Sequence, residues 1–160
     1  LGKQKTALYY YFKNKEDIFS EIIAIESQQV LTKLTEILNE DSDEVTRLQN
    51  YLFARIQIMA DISERYKVLK EELFYLLPEI EVSRAPFHMM ECEELAKLLE
   101  SGKEKDIFVM TSSKQMANTI VNILKGLEIP MYIREDMGYQ AEELADFTSL
   151  IINGLVRHSK

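Results

Sequence analysis

Lys3-Gln4-Lys5-Thr6-Ala7-Leu8-Tyr9-Tyr10-Tyr11-Phe12-Lys13-Asn14-Lys15-Glu16-Asp17-Ile18-Phe19 is the stretch from which the rest of this chain can be read. Up to Lys15 it carries four lysines and no acidic residue, whereas the whole chain is −8. The other 145 residues therefore sum to −12, from 15 basic and 27 acidic side chains. A basic segment interleaved with hydroxyl and aromatic side chains suits a polyanion, and the acidic remainder does not. The plainer reading of the same lysines is the solvated start of an amphipathic helix.

Spacing adds to charge. Leu8 and Phe12 lie four apart with Ala7 beside them, which predicts a short helix with one inward face. Lys5, Thr6 and Tyr9 then share a polar face. In a helix-turn-helix, the first residues of the recognition helix reach base edges while their neighbours hold phosphates. A break follows Phe12. Asn14 is a good N-cap, and Asn14-Lys15-Glu16-Asp17 is a variant capping box. Lys15 would then stand beside free amides at a helix start, a favourable place for an anion.

Leu-Tyr-Tyr-Tyr-Phe-Lys-Asn-Lys-Glu-Asp-Ile-Phe, residues 8 to 19, resembles the end of the DNA-binding head of TetR-family transcriptional regulators. The Leu-Tyr-x-x-Phe core, the lysine after the turn and the following amphipathic helix fall in register. The resemblance implies an all-α homodimer: a helix-turn-helix head followed by a helical body that binds a small ligand and dimerises. In this chain it implies that residues 1–15 are the C-terminal part of the head and 16–160 the body. A full helix and most of a second, which the family has before this motif, are absent from the sequence. Carried over, Lys5, Thr6 and Tyr9 fall at base-reading positions, and Lys3, Gln4, Tyr11 and Lys15 at or near phosphate-contacting ones. The resemblance further implies a ligand-responsive transcription regulator, a repressor released from double-stranded DNA by a small apolar or amphipathic effector. The alternative is a helical dimer that binds a small molecule or protein and no DNA.

The remaining composition fits. Three prolines and five glycines in 160 residues favour long helices over sheets. Cys92 is the sole cysteine, so there is no intrachain disulfide, and a reducing, cytoplasmic setting is expected. No apolar run approaches the ~18 residues of a membrane span. Residues 14–40 read as one helix through Ile18, Ile22, Ile25, Leu34 and Leu38, linking head to body. Asp41 or Ser42 is expected to cap a helix over 43–64. Further helices are expected over 66–77, then 80–101 with an irregularity at Pro86. Ser101-Gly102 reads as a stop with a left-handed glycine cap, and Lys103–Met110 as a connecting loop. Ser112-Ser113-Lys114-Gln115 reads as a capping-box start of a helix that Glu128-Ile129-Pro130 should end. The last helix is expected over 140–158.

Those last two helices carry apolar residues on two sides. Ala117, Ile120, Val121, Leu124, Phe147, Ile151, Ile152 and Leu155 are the candidate dimer contacts, forming a four-helix bundle with a second subunit. The competing reading buries both stripes within one subunit. The middle of the chain is rich in methionine and aromatics, and Phe53, Ile56, Met59, Phe74, Phe87 and Met90 are the candidate ligand pocket. Ordinary core is the competing reading. Tyr51, Arg55, Gln57, Tyr66, His88 and Cys92 are candidate polar contacts.

Nothing points to catalysis or to a cofactor. His88 and His158 are the only histidines, neither in metal-ligand spacing with Cys92 or a carboxylate. There is no phosphate loop and no nucleophile elbow. The runs Glu91-Glu93-Glu94 and Glu142-Glu143 read as solvated helix faces.

Overall fold

The computed structural model describes residues 15–66, 75–133 and 141–157. These form five helices: α1 Lys15–Leu38, α2 Glu44–Arg65, α3 Leu77–Glu104, α4 Ser113–Ile133 and α5 Ala141–Leu155. The fold is all-α, as expected. The segment from Lys3 to Asn14, most of the expected 66–77 helix and residues 134–140 lie outside the described residues.

Helix α2 is central and packs against each of the other four. Its inward face explains why. Leu48, Tyr51, Leu52, Arg55, Ile56 and Met59 are all buried, at steps of three and one that trace a single helical stripe. Asp43, rather than Asp41 or Ser42, caps this helix: its Oδ1 accepts from the Thr46 amide at 2.9 Å and its Oδ2 from the Thr46 hydroxyl at 2.6 Å. Asp43 is the residue with extended backbone immediately before the first helical turn, as a side-chain cap requires. Arg47 turns back to donate to the Leu38 carbonyl at the end of α1, 3.2 Å away.

Helix α1 is packed unevenly. Leu31, Leu34 and Leu38 in its second half are core residues. In its first half Ile22 and Ile25 are substantially exposed. Helix α3 runs through Pro86 without ending. Pro86 and Val82 both sit on the exposed face, so the Val82 carbonyl that loses its usual i+4 donor is open to water.

Two expected stops fall elsewhere. Gly102 is an internal residue of α3, and the left-handed residue is Asp106, with φ 61°. Gly102 is needed for a different reason. A Cβ there would lie 2.2 Å from Phe108 Cδ2, so the missing side chain makes room for a fully buried ring. The amides of Ile107 and Phe108 both donate to the Gly102 carbonyl, folding the chain back under the helix. Phe108 then forms an isolated antiparallel bridge with Val156, which takes Val156 and Arg157 out of the expected last helix. Pro130 likewise leaves α4 intact to Ile133. It stands within a turn of the helix end, where the lost amide removes only one bond of the ladder. Ser112 caps the start of α4, its Oγ accepting from the Gln115 amide at 3.3 Å.

Candidate functional site

A cavity of about 160 Å³ lies between α1, α2 and α3. Helix α1 lines it with Phe19, Ile22, Ile23, Val30, Leu31 and Leu34, and with Glu26 and Ser27. Helix α2 contributes Arg55, Met59, Ile62 and Tyr66; helix α3 contributes Leu77, Ile80, Arg84, Phe87, His88 and Glu91. The wall is mostly hydrocarbon. The cavity therefore runs along α1 from Phe19 to Leu34, and Leu34 and Leu38 toward the far end of the helix also belong to the main core.

The polar groups are concentrated on one side. Arg55 is buried and its Nε donates to Glu91 Oε1 at 2.8 Å. The Tyr51 hydroxyl donates to the same oxygen at 2.8 Å. Arg55 Nη1 and Glu128 Oε1 are 2.5 Å apart as an ion pair, though not aligned as a hydrogen bond. Glu128 Oε2 accepts from Arg84 Nη1 at 3.0 Å. Two arginines and two glutamates thus join α2, α3 and α4 at one point. Burial alone would raise the Glu128 pKa, but the Arg55 and Arg84 charges overcome it and hold the carboxyl below its ordinary value. Burial alone would lower that of Arg55, and Glu128 and Glu91 reverse that too. Burial first, then the Glu91 charge, push the Tyr51 hydroxyl well above 10, so it is a fixed donor. Near the rim, Glu26 Oε1 accepts from both Arg65 and the Tyr66 hydroxyl at 2.8 Å.

His88 is different. Its Nε2 is buried and has no hydrogen-bond partner among the described residues. Burial, then the cations of Arg84, Lys125 and Arg55, press its pKa down to about 3, so the imidazole is neutral at ordinary pH.

Of the pocket residues expected from sequence, Met59 and Phe87 line this cavity. Ile56 is core beside it, against a second, minor cleft shared with Leu124 and Leu127. Phe53 and Met90 are substantially exposed and do not line it, because they fall on the outer sides of α2 and α3. Phe74 lies outside the described residues. Of the polar candidates, Arg55, Tyr66 and His88 line the cavity, Tyr51 supports it through Glu91, and Gln57 is exposed.

Glu91, Glu128, Arg84 and Glu26 were missed. Reading Glu91 as part of a solvated run is corrected by its burial against Arg55. The spacing held the signal: Glu91 stands four after Phe87 and four before Leu95, on the inward stripe. Glu128 stands four after Leu124 in the same way.

The expected dimer residues also divide. Ala117, Ile120, Val121, Leu124 and Leu155 are buried in the chain's own core, while Phe147, Ile151 and Ile152 are half-buried against it. What α4 and α5 turn outward is another set, Ile123 at 40%, Ile129 at 48% and Leu150 at 72% exposure. A Cβ at Gly126 or Gly154 would meet nothing within 4 Å. Of the DNA-contact candidates, Lys3, Gln4, Lys5, Thr6, Tyr9 and Tyr11 lie outside the described residues. Lys15 is the first residue of α1.

The arrangement of these five helices is shared with solved TetR-family regulators. A Clostridium perfringens protein named as a fatty acid metabolism regulator superposes with a TM-score of 0.73 at 18% identity, over 96% of this chain and 83% of that one. The TetR-family regulator PfmR from Thermus thermophilus gives 0.70 at 23% identity, over 96% and 83%. A tetR-family regulatory protein from Rhodococcus RHA1 gives 0.69 at 20% identity, over 96% and 80%. No family model and no curated protein sequence matches the chain. No helix of the described residues is long and apolar enough to cross a membrane.

Proposed function

We propose that this chain is a DNA-binding transcriptional regulator of the TetR type, acting in the cytoplasm as a homodimeric repressor that a small, mainly apolar effector releases from its operator. The observation that carries the reading is the position of the cavity. It runs along α1 from Phe19 to Leu34, and among the described residues of α1 none before Val30 packs against the main core. An effector filling the space sets the tilt of α1 and, through Lys15, the position of the recognition helix. In a dimer this changes the separation of two recognition helices, which must match successive major grooves about 34–36 Å apart. Moving the protein from mostly bound to mostly released needs an effector preference of about 5.5 kcal/mol.

The dimer contact, on this reading, runs through the outward residues Ile123, Gly126, Ile129, Leu150 and Gly154, in place of the stripe expected from sequence. Two bare glycines allow the paired helices to approach closely.

The test is fluorescence anisotropy against duplex libraries at several salt concentrations. Lys3→Ala and Lys15→Ala should weaken binding to all sequences and each lower the salt slope by about one. Thr6→Ala and Tyr9→Phe should flatten sequence preference instead. Equal losses for both sets on specific and random duplex, or no binding at all, would overturn the reading.

A further inference from the structure

The residues that line the cavity define its shape. They run from Phe19 to Leu34 on α1, from Arg55 to Tyr66 on α2 and from Leu77 to Glu91 on α3. At a rise of about 1.5 Å per residue these stretches are roughly 22, 16 and 21 Å long. The three helices lie side by side in alternating directions. Glu26 meets Arg65 while the Leu38 carbonyl meets Arg47, and Glu91 meets Arg55 while Ser101 meets Glu44. The cavity therefore extends lengthwise between them. Its volume is about 160 Å³. A round void of that volume would be about 7 Å across, little more than one helical turn, and would not reach side chains about four turns apart on α1. So small a volume over such a length makes a narrow slot. Four of the described lining residues are charged at neutral pH, and each already has its counter-ion. Glu26 pairs with Arg65, Arg55 with Glu91 and Glu128, and Arg84 with Glu128. An ionised ligand would lose its own hydration and find only neutralised charges.

Resting on the effector reading above, we propose that the cavity takes an uncharged, unbranched chain laid along α1, its methylenes against Ile23, Val30, Met59, Ile62 and Ile80. A set of probes separates shape from charge: n-hexanol, n-octanol, cyclooctanol and octanoate, titrated calorimetrically into the whole chain at pH 7.5. Of these n-octanol should bind tightest, one per chain. Each added methylene of the straight alcohols should raise affinity roughly fourfold, as burial of that group implies. Cyclooctanol should bind more weakly than n-hexanol, because its extra carbons widen the molecule instead of lengthening it and a packed wall does not yield. Octanoate should bind more weakly than n-octanol. Ile23→Phe, which fills part of the slot, should remove the advantage of n-octanol over n-hexanol; the ranking in the unaltered protein needs no variant. Cyclooctanol binding more tightly than n-hexanol would overturn the shape assignment, and octanoate binding more tightly than n-octanol the charge assignment; either result leaves an effector site in place. A folded Ile23→Phe protein that keeps the n-octanol advantage would place the chain elsewhere and also overturn the proposal. If none of the probes binds, the proposal and the effector reading both fall.

Discussion

Glu128→Gln is the sharpest probe of the ionic knot, because it removes one charge and almost no volume. Glu128 faces Arg55 Nη1 at 2.5 Å and Arg84 Nη1 at 3.0 Å, and Arg55 is 1% exposed. After the substitution the Nη1 edge of Arg55 loses its ion partner, and Glu91 bonds only the Nε edge. Breaking a buried pair from one side costs about 3–5 kcal/mol, because the other charge stays buried. Against a typical total of about 5–15 kcal/mol this is severe. For a chain of this length it corresponds to a fall in Tm of roughly 6–20 °C, at about 2–4 °C per kcal/mol. The assay is urea denaturation followed by circular dichroism, at fixed protein concentration because a dimer's stability depends on it. Glu94→Gln is the control: its partner Lys97 is 70% exposed, and the loss should stay under about 1 kcal/mol. Replacing Arg55, Glu91 and Glu128 together by methionine should recover most of the loss, since a packed apolar substitute for a buried ion group is often neutral or better. A Glu128→Gln loss as small as that of Glu94→Gln would refute the reasoning and mean that water reaches Arg55.

Gly102→Ala should destabilise by about 1–3 kcal/mol, the usual range for overpacking, despite alanine's better helix propensity, because its Cβ meets the Phe108 ring; Gly102→Ala with Phe108→Leu should recover part of this in the same denaturation assay. If the proposed dimer runs through α4 and α5, Leu150→Glu should give a monomer in analytical ultracentrifugation, whereas Phe53→Glu, also exposed but on α2, should leave the protein paired. Stability should fall in acid in two stages. The folded-state pKa of His88 is depressed from 6.5 to about 3, so its contribution is complete above pH 6.5 and declines below it, with a ceiling of about 1.4 kcal/mol per pH unit for one proton. Glu44, lowered from 4.5 to about 2 chiefly by its hydrogen bond from Lys105, contributes above pH 4.5 and is lost between 4.5 and 2. His88→Leu should abolish the first stage and keep the second, as read by denaturation midpoints from pH 7 to 3.

How much of this was legible beforehand depended on whether a signal was local. Helix periodicity is local, and residues 8–19 already pointed to both the all-α class and the family whose fold the chain shares. The bounds of α1 and α2 followed to within two residues from the same kind of pattern. Which apolar stripe of α4 faces its own core is a different matter. Ala117, Ile120, Val121 and Leu124 are as good an interface stripe as Ile123 and Ile129 until α2 is placed against one of them. Phe53 and Met90 show the same thing, since an aromatic or methionine is suited to a pocket only if its helix turns that way.

The charged centre needed the tertiary structure most. A lone glutamate in an inward stripe is unfavourable by itself, so Glu91 and Glu128 look like surface until Arg55 and Arg84 arrive from other helices to neutralise them. Gly102 reads as a helix stop until Phe108 folds back onto it. The sequence alone therefore determined the all-α class and the bounds of α1 and α2, because each depends on neighbours within a turn or two. Only the folded chain decided which faces met and where a cavity was left. Those outcomes depend on packing between segments tens of residues apart, which no short-range pattern encodes.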